Sequence, residues 1–420
     1  MLRRFYTLLF STLLPLILLR LYWRGIKAPQ YRQRWRERLG CYQTQPRRHV
    51  IWLHAVSVGE AEAGFALLNS LQQRYPAADF LITTTTPTGS ARVQTVLTGN
   101  VAHVYLPYDI PYILNRFFQH FQPRLAVIME KEIWPNLYAG CAARRIPIAI
   151  VNARLSARSA ASYQKIPGLL KPALAQVNLI ACQTSADSQR FQSIGASPQQ
   201  LKVPGNIKFD MHIPAAVIEA GRELHQQLFI NRFVWIIASS HQGEEALILS
   251  SYAQLKQRIP ELLLLIVPRH PERFTDVEKL CLAQHLQVVM RSRQQQITSA
   301  CDVYIADSIG ELKMLYAAAD AAFVGGSLVP VGGHNVLEPA AVGTPILFGP
   351  HMFNFQDIAE QMLAANAAQQ CQDPAALALA LLKLYQEPGY RQTLVSNAQT
   401  FVRQNQGATT RLTELLAAYL

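Results

Sequence analysis

A chain of 420 residues, 50% hydrophobic and 16% charged, has material for two domains with sizeable cores, and its aromatic content and mixed periodicity exclude disorder. Six cysteines (41, 141, 182, 281, 301 and 371) stand at least 20 residues apart, with no CxxC, Cys/His cluster or HExxH. Neither a disulfide scaffold nor a thiolate metal site is expected. The net charge of +12 is concentrated: residues 1–48 hold 11 Lys/Arg against Glu37 alone, leaving +2 for the other 372, which favours a local anionic surface over a nucleic-acid groove.

Phe5 to Leu19 reads FYTLLFSTLLPLILL, without charge. Arg3 and Arg4 precede it; Arg20, Arg24, Lys27, Arg32, Arg34, Arg36 and Arg38 follow. The stretch nearly reaches the ~17–20 residues that span a bilayer. No small-x-small cleavage site follows, and the basic flank belongs on the cytoplasmic side. Two readings stand: a signal anchor, or a helix lying in the interface with Tyr22, Trp23 and the arginines at headgroup level.

From His49 onward, apolar runs alternate with helical stretches. The runs are 49–56, 78–86, 101–109, 124–130, 146–154 and 178–183, with helices such as Glu60–Arg74 between them. Near-continuous apolar strands alternating with helices predict parallel sheets covered on both faces. Residues 204–232, with Pro204, Gly205 and Pro214, break the rhythm. It resumes at 232–240, 262–270, 286–292, 302–307, 320–327 and 344–350, and the chain closes with helices over 374–386 and roughly 388–419. The expected fold is α/β: a membrane helix over 1–30, a Rossmann-like domain over 31–210 and a second over 211–420. The two domains would face a cleft, and the last helices would fold back on the first.

Ligands of open parallel sheets bind beyond the strands' carboxyl ends. Ser57-Val58-Gly59-Glu60 follows the first strand, where Glu60 can take a proton from a hydroxyl nucleophile. Glu130-Lys131-Glu132 ends the fourth, and Lys208 precedes the linker. Pro268-Arg269-His270 ends a strand with a cation suited to a phosphate or carboxylate. Asp307 to Leu312, including Ile309, Gly310 and Glu311, joins a strand to a helix and offers amides to an anion or base edge. Gly325, Gly326, Gly332 and Gly333 allow close backbone approach, and Asn335 is placed to cap a helix running through Val336, Leu337 and Glu338. That helix start would hold a phosphate, and Glu338 a ribose diol. No GxGxxG, GxxxxGK[ST] or Asp-x-Asp occurs, which removes support from dinucleotide redox cofactors, P-loop chemistry and a metal-bridged diphosphate.

Together, WLHAVSVGE (52–60), PYDIPYILNRF (107–117), MEKEIWPNL (129–137), VNARLSARSAASY (151–163), GNIKFD (205–210), PRHPERF (268–274), GGSLVPVGGHNVLEP (325–339) and GPHMFNFQDI (349–358) resemble the 3-deoxy-D-manno-octulosonic acid (Kdo) transferases of lipopolysaccharide assembly over essentially the whole chain. The resemblance implies the two-Rossmann GT-B glycosyltransferase architecture. It also implies transfer of Kdo from CMP-Kdo to the 6′-hydroxyl of a lipid A precursor. It assigns Glu60 as general base, Glu130 and Lys208 to transition-state stabilisation, and Pro268, Arg269, Ile309 to Glu311 and Asn335 to Glu338 to CMP. No metal or cofactor is implied beyond CMP-Kdo itself as donor substrate. The implied location is the cytoplasmic face of a bacterial inner membrane, against an anionic surface, with no nucleic acid. Lys131 and Ser240 stand where threonine is usual. The rival readings are a UDP-sugar glycosyltransferase on the same architecture, a UDP-N-acetylglucosamine 2-epimerase, and a non-catalytic sugar-nucleotide binder.

Overall fold

The apolar runs become strands because helices cover both faces of each, so side chains pointing either way are buried. In the computed structural model, which describes residues 1–97 and 100–420, the chain divides into two compact units: Met1–Asp210 with Gln406–Leu420, and Met211–Asn405.

The first unit contains β1 (Ile51–His54), β2 (Phe80–Thr84), β3 (Val101–Tyr105), β4 (Leu125–Met129), β5 (Ile148–Ala153), β6 (Leu179–Cys182) and β7 (Leu201–Lys202). They form a parallel sheet in the order β3-β2-β1-β4-β5-β6-β7. Alternate residues feed two cores. Trp52, Ile128 and Ile150 face Phe117, Phe121 and Tyr138; Ile51, Leu53 and Val127 face Leu67, Leu71, Leu412 and Leu416. Buried Trp52 gives its indole N–H to Thr83 Oγ1 at 2.8 Å, satisfying its one donor.

The second unit contains β8 (Phe233–Ser240), β9 (Leu262–Pro268), β10 (Val288–Met290), β11 (Val303–Ile305), β12 (Ala321–Val324), β13 (Ile346–Phe348) and β14 (Gln369–Gln370), parallel in the order β10-β11-β9-β8-β12-β13-β14. The first sheet's two halves diverge at β1/β4; in the second, β11 inserts between β10 and β9 and the halves diverge at β8/β12. Those switch points are where doubly wound sheets leave room for ligands.

Three details depart from expectation. The edge strands β7 and β14 have two residues each and no apolar run to announce them. The final helical stretch is two helices, Pro388–Asn405 and Ala408–Ala417, broken at Gly407, whose φ is 92°. Asp210 accepts from the Gly407 and Thr409 amides at 2.5 Å each, tying the last helix into the first unit. The N-terminal helix α1 (Leu2–Lys27) is long and apolar enough to cross a membrane by length and composition. It lies along the first unit: Tyr6, Thr7, Phe10, Leu14, Ile17, Leu18 and Leu21 are half-buried and Gly25 is buried, while Leu2, Phe5, Leu8, Leu9, Leu13, Leu16, Leu19, Trp23 and Ile26 are exposed.

Candidate active site

In the first unit the β1/β4 switch point gathers carboxylates. Ser57 caps the helix α2 (Val58–Arg74), and Glu60 sits in its first turn. Glu60 reaches back so that Oε2 accepts the Val56 N–H at 2.7 Å, and its own N–H lies 3.4 Å from Ser57 Oγ. Ser57 thus caps the helix while the Glu60 carboxylate reaches one residue beyond the cap to the Val56 amide, so Glu60 serves the fold as well as facing the site. Burial pushes its carboxyl from 4.5 up to about 7; the Val56 amide opposes this, and the nearby charges of Glu130 and Glu132 add to it. A carboxyl near 7 is matched to proton transfer at neutral pH.

Glu130, directly after β4, has a left-handed backbone with φ of 57°. That conformation costs a non-glycine residue about 1–2 kcal/mol and turns the side chain out of the strand register; the Glu130 N–H donates to Val151 O at 2.9 Å. The Lys208 Nζ stands 3.9 Å from Glu130 Oε1, both side chains mostly buried. Lys208 is held by a network missing from the sequence reading. Asn206 Oδ1 accepts the Lys208 N–H at 3.0 Å, Asn206 Nδ2 donates to Gln183 at 3.0 Å, and buried Asn152 accepts the Ile207 N–H at 3.2 Å. Glu132 is also pushed up by burial, and it accepts from the Trp134 indole at 3.1 Å.

A cavity of about 260 Å³ lies between α1 and the Glu132 side of this site, lined by Phe10 and Ile17 from the helix and by Arg38, Val56, Tyr108, Asp109, Glu132 and Trp134. Buried Arg38, counted in sequence among the membrane-facing cations, instead donates to Thr85 O at 2.7 Å and lies 4.1 Å over the Tyr105 ring. Next to this cavity, Asp109 accepts the Asn136 and Leu137 amides at 3.1 and 2.7 Å and is pushed up to about 6 by burial. Thr7 of α1 meets Asn136 at 2.9 Å. An open groove of about 610 Å³ flanks α1 on its other side and holds Arg3, Arg4 and Arg144 among Leu8, Leu114 and Phe118.

In the second unit, Pro268 is buried at the end of β9 and Arg269 follows, exposed, its N–H on Ser240 O at 3.1 Å. The four-glycine segment is used differently from expectation. Glu244, fully buried, accepts the amides of Gly326, Ser327, Leu328 and His241 at 2.7, 3.1, 3.0 and 3.3 Å. The amides of Gly326, Ser327 and Leu328 thus turn inward to a carboxylate of the protein. A Cβ on Gly325 would come within 2.6 Å of Ser239 O, so the close approach is backbone on backbone.

The short helix after this loop runs Leu337–Val342, with Val336 already at φ −83° and ψ −11°, so Asn335 lies one residue outside the expected cap position. Its Oδ1 still accepts the Leu337 N–H at 3.1 Å and so performs the capping. Glu338 is half-buried in the first turn, and its charge acts on buried Tyr316. Ile309 is exposed and Gly310, at φ 92°, has open space around it. Glu311 is gripped by Arg291 at 2.7 Å through both oxygens, which holds its carboxyl below the usual range. Its side chain is therefore committed, leaving the backbone of 309–311 as the part that faces solvent. The sequence reading missed His241, Glu244 and His334; the only cue was their position after β8 and in the loop that follows β12.

The family model described as 3-deoxy-D-manno-octulosonic-acid transferase (kdotransferase) matches residues 33–211. The 3-deoxy-D-manno-octulosonic acid transferase of Haemophilus influenzae is 40% identical over 421 residues, covering 100% of this chain and 99% of that protein. That of Bordetella pertussis is 34% identical over 434 residues, with the same coverages. Among solved structures, the UDP-GlcNAc 2-epimerase of Neisseria meningitidis matches with a TM-score of 0.58 over 88% of this chain and 99% of that one, at 14% identity. At that identity the likeness shows the two-Rossmann, GT-B-like fold alone. Full-length identity at this level, on a sheet architecture of the expected kind, establishes that the chain belongs to the Kdo transferases, a family of glycosyltransferases.

Proposed function

We propose that this transferase acts in lipopolysaccharide biosynthesis, moving Kdo with inversion from CMP-Kdo to the 6′-hydroxyl of a tetraacylated lipid A precursor, lipid IVA. The observation that carries the reading is the cavity between α1 and Glu132, beside the other carboxylates at the β1/β4 switch point. It gives an acylated acceptor an apolar approach, past Phe10 and Ile17, to Glu132, whose charge acts on Glu60, the carboxyl poised near 7. Glu60 takes the proton of the acceptor hydroxyl as its oxygen bonds to the anomeric carbon. The bond from that carbon to the phosphate oxygen breaks, and CMP leaves with the electron pair. Kdo passes through an oxocarbenium-like state, with Lys208 and Glu130 stabilising it.

CMP belongs to the second unit in this reading. Arg269 meets the phosphate, the 309–311 backbone the base edge, and Asn335 to Glu338 the ribose and phosphate. The phosphate gains charge as the bond breaks, so a preorganised cation there lowers the barrier. No metal is assigned a role. The exposed apolar face of α1, with Arg20, Arg24, Lys27 and Trp23 at its end, suits an anionic leaflet at the cytoplasmic face of the inner membrane. Because its other stripe runs against the first unit along its length, α1 is assigned to the plane of the interface rather than across the bilayer. Thermal unfolding with CMP and with UDP tests the donor assignment, since a ligand of the native state alone raises stability. CMP should raise the transition and UDP should not; stabilisation by UDP alone would overturn it.

A further inference from the structure

Three histidines meet at the carboxyl ends of β8, β9 and β12. His241 and His334 are 93 residues apart in sequence, yet their Nε2 atoms lie 2.8 Å apart. The rings are nearly parallel, at 7°, with centroids 5.1 Å apart. His270 stands edge-on to His241 at 5.4 Å and 81°, and Arg269 is its chain neighbour. A bond between two imidazole nitrogens requires one to donate and the other to accept. The pair therefore shares one proton when neutral and can add only one more, at its outer nitrogens, without losing the bond. Protonated once, it becomes a charge-assisted N–H⁺···N bridge, stronger than the neutral one.

Resting on the donor assignment above, we propose that the His241–His334 pair is a donor-recognition element: it takes up one proton as it meets an oxyanion of the nucleotide sugar, either the phosphate or the sugar carboxylate.

The surroundings favour an anion. From the β9 end, Arg269, His270 and Arg273 act on the pair; after β8, Glu245 acts on His241 and Glu244 accepts the His241 backbone N–H. Neither carboxylate is spare, because Glu244 is filled by backbone amides and Glu245 holds Arg273 at 2.6 and 3.0 Å. Burial first, then the neighbouring imidazoles and Arg269, push His334 down to about 4, and His241 is lowered for the same reasons. The empty pair is thus neutral at physiological pH. An anion within ~4–6 Å raises such a group by about 1–3 pH units, bringing protonation into the range of pH 5–7. Neutral when empty, the pair avoids stacking further positive charge beside Arg269; charged when occupied, it distinguishes an anionic sugar nucleotide from a neutral nucleoside.

The test is calorimetry of the full-length protein in detergent, at pH 6 and pH 8, in buffers of differing ionisation enthalpy, with cytidine, CMP, and CMP plus free Kdo as probes. His334→Gln and His241→Gln serve as comparisons, because glutamine keeps hydrogen-bonding capacity but cannot be protonated. CMP's own phosphate titrates near pH 6, so the readout is the wild-type uptake minus the variant uptake. We expect a difference of some tenths of a proton at pH 6, with CMP or CMP plus Kdo bound roughly 2–10-fold more weakly by the variants at pH 6 and nearly equally at pH 8. A difference already present with CMP and absent with cytidine identifies the phosphate; one that needs added Kdo identifies the carboxylate. CMP binding with no uptake difference, or an affinity loss independent of pH, overturns the pair's role and leaves the donor assignment standing. Failure of wild type to bind CMP overturns both.

Discussion

Glu60→Gln should remove activity and strengthen the fold at the same time. Glutamine keeps the shape and can still accept the Val56 N–H bond, which is 2.7 Å in the native site. It cannot take a proton, and loss of a general base costs about 10²–10⁴ in rate. The stability effect has a definite sign. The carboxyl's folded value, about 7, lies above its ordinary 4.5. Folding therefore favours the protonated form, and that advantage, complete below about 4.5, is lost as pH rises through 7. At pH 8 the ionised native residue is held at a cost of up to about 3 kcal/mol, discounted to ~1–2 kcal/mol for its partial exposure. Glutamine mimics the protonated acid, so the first unit should melt about 2–6 °C higher at pH 8 and unchanged near pH 4.5. Calorimetric melts at the two pH values, with single-turnover transfer at pH 8, check both. Retention of more than about a tenth of wild-type turnover, or a lower melting temperature at pH 8, would refute the reasoning.

The acid limb of kcat/KM should fall near pH 7 in wild type and move in opposite directions in two neighbours. Glu130→Gln removes a charge that raises Glu60 and should shift the limb to lower pH; Lys208→Met leaves Glu130 uncompensated and should shift it higher, with kcat reduced in both. Glu244→Gln should destabilise the second unit by about 1–3 kcal/mol, because an amide cannot satisfy four backbone donors; chemical denaturation measures it, and CMP affinity should fall with it. Removal of residues 1–30 should weaken binding to anionic vesicles while leaving CMP affinity near wild type, as read by flotation and calorimetry. Transfer should persist in EDTA; complete loss restored by Mg²⁺ would show that the donor phosphate needs an ion as well as Arg269.

The strands were legible because a parallel sheet buried on both faces demands unbroken apolar runs such as Leu125–Met129. The two-residue edges β7 and β14 were not, since they carry only polar or mixed residues held by their neighbours. Glu60 and Glu130 could be chosen from strand ends, Lys208 from its place before the linker and from the family resemblance, and the fold brings Lys208 to 3.9 Å from Glu130. The network that holds Lys208 was invisible because Asn152, Gln183 and Asn206 come from three separate segments. Glu244 shows the same limit: it reaches amides 82 to 84 residues away, so the first part of the glycine loop is held by the protein's own carboxylate. Arg38 reads as one more membrane cation until tertiary structure folds it under Tyr105.

The central claim is transfer of Kdo from CMP-Kdo to a lipid acceptor, and mass spectrometry of the lipid product tests it most directly. The purified full-length protein is incubated with lipid IVA in mixed micelles and with either CMP-Kdo or a panel of UDP-sugars. Lipid IVA carrying Kdo is expected, with CMP released in equal amount and no product from any UDP-sugar. Unmodified lipid IVA in the presence of CMP-Kdo, with a UDP-sugar consumed instead, would contradict it.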